Sequence, residues 1–287
     1  MDDNKIGGHE LATLYIFGDE SGTMPVDDAD KPFVAATVAV LGDPPVLVRG
    51  SDDDKKMAGI FSSLNIVPFA AVVKPYPGYG KDLKSKYDKI NVMARATRLT
   101  TGASAPYLDD KTLREGFDLR NTVWGHAMVQ AIANAVLSIL FTSPIEAVQI
   151  VLDRKTMTPS MRQFFRDVIV NRIGEGTKQF LRSFHPANPT VVSEWEDRVR
   201  FSSNTTMLSW SDESKELEQQ FCLRLADRFA RKIYQAQITG QHGITTILEG
   251  AGFEGFVKDI SGLVTRLDMR LIDKFKNKTG LPEPKEL

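Results

Sequence analysis

Apolar and polar residues follow one another along the chain in runs that predict strands first and helices later. Short apolar runs rich in β-branched residues, each ending at glycine, aspartate or proline, predict four strands. These strands cover residues 11–17, 33–40, 66–74 and 147–152. Apolar residues at helical spacing predict helices over residues 117–141, 158–172 and 214–234. Between residues 191 and 210 the pattern indicates one or two further strands without fixing their ends.

The order of these elements predicts an α/β fold with a mixed sheet. Three strands linked as hairpins come first, and the later strands alternate with helices, so the later strands should lie parallel to a neighbour. This is the order of an RNase H-like sheet flanked by helices. We predict one domain over residues 11–236, with a helical insertion at 75–116, followed by a C-terminal helical extension and tail at 237–287. In the extension, apolar residues at helical spacing over 256–275 predict a helix that packs on the sheet or forms a homo-oligomer or protein contact.

Charge and cysteine content narrow the class of protein. The 287 residues include 36 Lys and Arg against 37 Asp and Glu, a formal net charge of −1. This balance excludes a strongly basic nucleic-acid coat protein but allows a local basic groove. The single cysteine, Cys222, excludes an internal disulfide and a cysteine-rich zinc site. Together with an acidic start that lacks an apolar signal segment, it favours a cytoplasmic protein.

One predicted helix requires a check against a membrane span, because residues 121–145 include no Asp, Glu, Lys or Arg. Polar residues nevertheless recur there at helical spacing, and a lipid-facing helix tolerates such a series poorly. We therefore expect a buried helix of an α/β domain, no membrane segment, and a core histidine at position 126. The polar residues are Asn121, His126, Gln130, Asn134 and Ser138.

Three aspartates fall where a site would form. Asp19 follows the first predicted strand and Asp153 the fourth, so parallel neighbours would bring both to one end of the sheet. Asp227 lies on a late helix that could pack beside them. Carboxylate oxygens suit Mg²⁺ or Mn²⁺, and two such ions promote phosphodiester hydrolysis. Alternatively, each strand-end Asp is a turn or helix-cap residue, and Asp227 pairs with Arg231 four residues later.

Short motifs in the same places resemble the domain-of-unknown-function 3800 family. The motifs are Asp19-Glu20-Ser21-Gly22, Phe33-Val34, Ile150-Val151-Leu152-Asp153 and the helix Leu223-Arg224-Leu225-Ala226-Asp227. They span residues 14–234, and Arg224 stands where the family usually has Gln. That family, from bacteria, archaea and phages, is regarded as RNase H-like and as metal-dependent nucleases. The resemblance implies Asp19, Asp153 and Asp227 as catalytic metal ligands, with Glu20 as a further catalytic candidate.

Basic residues accompany the proposed ligands. Arg154 and Lys155 follow Asp153 directly, and Arg224 lies on one helical face with Arg228, Arg231 and Lys232. We take Arg154, Lys155 and Arg224 as candidate phosphate contacts. A second basic helix, predicted over residues 81–98, has Tyr76, Tyr79 and Tyr87 near it. Cations with aromatic rings suit single-stranded nucleic acid, although an ordinary solvated helix face fits the same pattern.

These patterns lead to a metal-dependent phosphodiester hydrolase, a nuclease acting on RNA or DNA with Mg²⁺ or Mn²⁺. A catalytically silent nucleic-acid or protein-binding module on the same fold is the alternative, and a phosphoesterase acting on nucleotides is a third. Other chemistries lack their motifs: the four histidines have no zinc-ligand spacing, and no P-loop or nucleophile elbow occurs. Cys222, on the apolar side of its helix, is a core residue rather than a nucleophile.

Overall fold

The fold is taken from a computed structural model of the chain. It describes residues 5–6, 9–10, 12–23, 31–45, 66–74, 76–79, 81–82, 85, 119–140, 142–153, 159–184, 197–213, 217–240 and 257–259. Most of the insertion predicted at 75–116 lies outside these ranges, and so does most of the basic helix predicted over 81–98. The greater part of the C-terminal extension also lies outside them, as do Tyr87, Arg154 and Lys155.

The described elements form an α/β arrangement around one mixed sheet. In chain order they are β1 (Lys5–Ile6), β2 (His9–Glu10), β3 (Ala12–Gly22), β4 (Phe33–Leu41), β5 (Ile66–Val73), α1 (Leu119–Leu140), β6 (Ile145–Leu152), α2 (Pro159–Phe184), β7 (Thr206–Trp210), α3 (Leu217–Thr239) and β8 (Val257–Asp259). The main sheet has the order β7-β6-β3-β4-β5-β8, and β1 pairs with β2 separately. Strands β3, β4 and β5 pair antiparallel, whereas β6 and β7 run parallel to β3.

Helices cover both faces of the sheet. On one face α1 packs against β4, β5 and α2, and α2 packs against β7. On the other face α3 packs against β3 and β4. Alternating residues of each strand enter the two cores: Ile16 lies beneath α1, and its neighbour Phe17 lies beneath α3. This division decides which side chains of a strand can meet, because adjacent strand residues face opposite layers.

Strand β3 is longer than its apolar run predicts. The run ends at Phe17, and we expected the strand to stop at Gly18, but pairing with β4 continues through Asp19, Glu20 and Ser21 to Gly22. The backbone hydrogen bonds of the β4 partners, Phe33 to Ala36, extend the strand although its own side chains become polar. Asp19 and Glu20 are therefore strand residues rather than turn residues.

Two other boundaries differ from the predicted ones. Helix α2 passes the expected end near Arg172 and continues to Phe184. Gly174 does not stop the helix, and an added Cβ there would lie 3.3 Å from the backbone nitrogen of Ser203. The predicted C-terminal helix over 256–275 is wrong at its start, because Val257–Asp259 form strand β8 alongside Ala70–Val72 of β5. The open edge of β5 offers backbone partners that outweigh helical spacing here.

The uncharged segment forms the core helix α1, as expected. Its window Val123–Leu140 is long and apolar enough to cross a membrane by length and composition alone. In the fold its Trp124, Met128 and Ile132 are fully buried against the sheet and α2. His126 is half-buried, and burial together with the nearby Arg172 of α2 lowers the pKa of its imidazole to about 4.

His126 should make the protein less stable as the pH falls. An unfolded histidine protonates near pH 6.5, but the folded imidazole stays neutral until about pH 4. The unfolded state therefore binds the extra proton in this window, and stability is lost as pH decreases through it. Between pH 7 and pH 5 we expect a loss of about 2 kcal/mol in the free energy of unfolding. Urea titrations at both pH values should show this loss in the wild type and not in His126→Gln; equal losses in both would contradict it.

The outer edge of β7 is bonded to side chains. Arg166 of α2 donates from Nε to the carbonyl oxygen of Leu208 at 3.1 Å. The backbone N–H of Trp210 donates to Oε2 of Glu213 at 3.1 Å. Arg166 and Glu213 are also ion-paired at 3.0 Å, so one pair of side chains binds a carbonyl and an N–H of the same edge.

Candidate functional site

The candidate site lies where the parallel pairing of β3, β6 and β7 ends. Asp19 is near the carboxyl end of β3, Asp153 follows β6, and Ser211 follows β7. The backbone N–H of Asp153 donates to the carbonyl of Gly18 at 2.8 Å, and that of Ser211 donates to the carbonyl of Leu152 at 2.8 Å. The parallel ladders thus extend to this edge and hold the three residues in register.

Asp19 and Asp153 share the α3 face of the sheet. Phe17 and Val151 are register partners, and both belong to the core beneath α3. Asp19 and Asp153 each follow two residues later, which by strand alternation is the same face. Asp19 is only 9% exposed, and its Oδ1 accepts a hydrogen bond from the N–H of Glu20 at 2.7 Å. The two carboxylates therefore follow the last paired residues of the β3–β6 ladder on one side of the sheet, Asp19 within β3 and Asp153 just after β6.

Ser211 is a site residue that sequence reasoning missed. Its hydroxyl donates to Oδ1 of Asp153 at 3.0 Å. The two residues are 58 positions apart, and they meet because β7 pairs with β6 up to Leu152 and Trp210. The only available signal was a serine immediately after a strand whose limits the pattern did not fix. The contact fixes one oxygen of the Asp153 carboxylate.

Asp227 lies at the border of the packed side of α3. Its neighbour Ala226 is buried in the α3 core, whereas the side chain of Asp227 is 29% exposed. Oδ1 of Asp227 accepts a hydrogen bond from Nε of Arg231 at 2.8 Å. This is the i, i+4 pair that the sequence left open as the alternative role for Asp227. Convergence of Asp227 with the two strand-end carboxylates stays a prediction.

Glu20 faces the opposite side of the sheet from Asp19. Its Oε2 accepts a hydrogen bond from the indole Nε1–H of Trp124 on α1 at 2.9 Å. Trp124 belongs to the core beneath α1, and Asp19 faces α3. The two adjacent carboxylates of the Asp-Glu-Ser-Gly motif are thus separated by the strand itself.

The described basic and aromatic candidates divide into surface and core residues. Arg224 is exposed on α3, and its role as a phosphate contact stays a prediction. Tyr79 is fully buried and edge-to-face with Tyr76 at 5.1 Å, so its ring does not offer a stacking surface. Tyr76 is exposed, and its hydroxyl donates to Asp82 at 3.0 Å. Cys222 is buried as predicted, and burial raises the pKa of its thiol to about 12, which leaves it protonated and unreactive.

Two of the described carboxylates lie at this end of the sheet. Asp19 and Asp153 supply carboxylate oxygens, which are the ligands that Mg²⁺ and Mn²⁺ prefer. Within the described parts of the chain, no three or more His, Cys, Asp or Glu side chains are grouped closely enough to hold a metal ion together.

No protein-family model matches the chain, and a search of curated proteins found no significant match.

Proposed function

We propose that the protein is an RNase H-like, metal-dependent phosphodiester hydrolase that cleaves nucleic acid with Mg²⁺ or Mn²⁺. Two features support the fold assignment: three antiparallel strands come first, and two crossover helices then add strands parallel to the first. The motif resemblance to the domain-of-unknown-function 3800 family supports the same assignment. Fold alone does not give function, so the proposal depends on the carboxylates.

The observation that carries the proposal is the matched placement of Asp19 and Asp153. They directly follow the last pair of the parallel β3–β6 ladder on one face, at the edge where open α/β sheets form their sites. Asp19 is buried, and its carboxylate is oriented by the N–H of Glu20. A divalent ion held there would stabilise the charge that develops on a phosphodiester and lower the pKa of a water.

The proposal assigns three tasks: binding the cation, orienting one of its ligands and positioning a phosphate. Asp19 and Asp153 are the proposed ligands of the cation; the motif resemblance adds Asp227, which in this structure is paired with Arg231 rather than grouped with them. Ser211 orients the Asp153 carboxylate through its hydroxyl. Arg224 positions a backbone phosphate, and Arg154 and Lys155 are candidates for the same task directly after Asp153.

A substrate panel tests the proposal directly. The purified chain is incubated with labelled single- and double-stranded RNA and DNA, with Mg²⁺, with Mn²⁺ or with EDTA. We expect cleavage of at least one polymer that requires the added cation and is abolished by EDTA, because the carboxylates act only through the ion. Cleavage that persists in EDTA, or no cleavage of any substrate under any condition, would contradict the proposal.

A binding module is the second candidate, and one observation favours it. The carboxylate of Asp227 already has a cationic partner in Arg231, as expected for a structural helix pair. A module that retained the fold without turnover would use the basic side of α3 to bind nucleic acid or protein. In the same panel, retention of a labelled polymer without cleavage would identify this second function.

A further inference from the structure

Glu20 is joined to the candidate site through two hydrogen bonds in series. The indole of Trp124 donates to Oε2 of Glu20 at 2.9 Å, and the backbone N–H of Glu20 donates to Oδ1 of Asp19 at 2.7 Å. The first bond is on the α1 face of the sheet, and the second orients the carboxylate on the α3 face. The link therefore crosses the sheet at the motif Asp19-Glu20.

Trp124 is a rigid donor. Its side chain is fully buried, stacked on Trp210 of β7 at 5.9 Å and edge-to-face with Phe165 of α2 at 5.3 Å. The next residue, Gly125, leaves room for the Phe165 ring, which an added Cβ would overlap. Because three elements surround the indole, its N–H has little freedom to follow a moving acceptor. The Glu20 carboxylate is thus tethered to the core beneath α1.

Strand geometry separates Glu20 from a metal held by Asp19. Pairing with β4 keeps β3 extended, with Asp19 opposite Ala36 and Glu20 opposite Ala35. In an extended strand, adjacent side chains face opposite layers. A shared ion would require β3 to leave the ladder and Glu20 to release Trp124.

We propose that Glu20 is a positioning residue, tethered by Trp124, that fixes the N–H orienting the Asp19 carboxylate and does not bind the metal. This inference rests on the proposed role of Asp19 as a ligand. It assigns the two acidic residues of the motif different tasks, one on each face of the sheet. Its chemical signature is that the residue at position 20 needs an acceptor oxygen and not a negative charge.

Mn²⁺ binding to the full chain, measured by calorimetry without substrate, tests this signature. Glu20→Gln keeps an oxygen for Trp124, so its affinity should stay within about threefold of the wild type. Glu20→Ala loses that oxygen and should bind Mn²⁺ about tenfold more weakly, the size of effect typical of residues that orient ligands. Trp124→Phe should weaken binding similarly, and adding it to Glu20→Ala should cause little further loss. A Glu20→Gln variant as impaired as Asp19→Asn would show that Glu20 is itself a ligand and overturn the inference.

Hydrogen exchange of the residue-20 amide provides a readout that does not require the metal. Exchange should quicken about tenfold in Glu20→Ala and Trp124→Phe, and remain at the wild-type rate in Glu20→Gln. If the wild type does not bind Mn²⁺, the proposed metal site is wrong, and this exchange pattern still decides whether Glu20 and Trp124 fix the N–H beside Asp19. Equal exchange in all variants would overturn the positioning role.

Discussion

Asp153→Asn is expected to lower metal-dependent cleavage of nucleic acid by at least about 100-fold. Asparagine keeps the shape of the side chain and an oxygen that can accept from Ser211. It removes the negative charge that a divalent ion requires, and loss of a residue that only orients a ligand already costs about 10- to 100-fold. Initial cleavage rates at saturating Mn²⁺ measure the effect, and Asp19→Asn should show a similar loss.

Asp167→Asn is the matched control for this prediction. This variant makes the same chemical change at an exposed residue of α2. The carboxylate of Asp167 accepts a hydrogen bond from Gln163 at 2.8 Å. Helix α2 packs on the face of the sheet opposite α3. The cleavage rate of Asp167→Asn should match that of the wild type. Comparable activity in Asp153→Asn and Asp167→Asn, with both folded by circular dichroism, would remove Asp153 from the catalytic group.

Gly22→Ala should destabilise the fold by about 4 kcal/mol, since two costs combine at this position. Gly22 ends β3 with a φ of 100°, a conformation that side chains rarely adopt. An added Cβ would overlap the carbonyl oxygen of Pro32 and lie 2.7 Å from the Tyr234 ring of α3. The contact with Pro32 is to a backbone atom, which cannot move aside as the end of a flexible side chain can. Urea unfolding followed by circular dichroism measures the change in the free energy of unfolding.

Gly42→Ala separates the two costs. Gly42 has a φ of 82°, so alanine is strained there as well, but an added Cβ meets no atom within 4 Å. We expect a loss of about 1–2 kcal/mol, the cost of the backbone conformation alone. A loss at Gly42 as large as that at Gly22 would show that contact with Pro32 and Tyr234 contributes nothing. The glycine of the motif would then be required only by its backbone conformation.

The pattern of hydrophobic residues was sufficient to predict an element where burial of its side chains decides the structure. The second strand, predicted over 33–40, is Phe33–Leu41, and the uncharged helix is α1, because both are enclosed by apolar neighbours. Pattern failed where backbone pairing decides instead. The polar end of β3 remains a strand because β4 lies beside it, and β8 forms because β5 has an open edge. Neither partner is visible in the local sequence.

The candidate site likewise has a part that could be predicted from the sequence and a part that could not. The placement of Asp19 and Asp153 at the same end of the sheet could be predicted, since each follows a local apolar run, but the continuation of β3 past Asp19 to Gly22 could not. The contacts that orient them could not: Ser211 is 58 residues from Asp153, and Trp124 is 104 residues from Glu20. Such contacts depend on how strands and helices assemble. Different tasks can be proposed for Asp19 and Glu20 because β3 continues through both residues, which places their side chains on opposite faces of the sheet.

The hydrogen bonds from the side chains of Arg166 and Glu213 to the backbone of β7 also affect association of the protein with other chains. An unprotected edge strand accepts a further strand from a neighbour, a common route to aggregation. Here an incoming strand would first have to displace Arg166 from the Leu208 carbonyl and Glu213 from the Trp210 N–H. Both bonds involve a charged group, and such bonds contribute about 1.5–3 kcal/mol each. Arg166 and Glu213 therefore protect this end of the sheet against strand addition, even though Met207 on the same strand is 66% exposed.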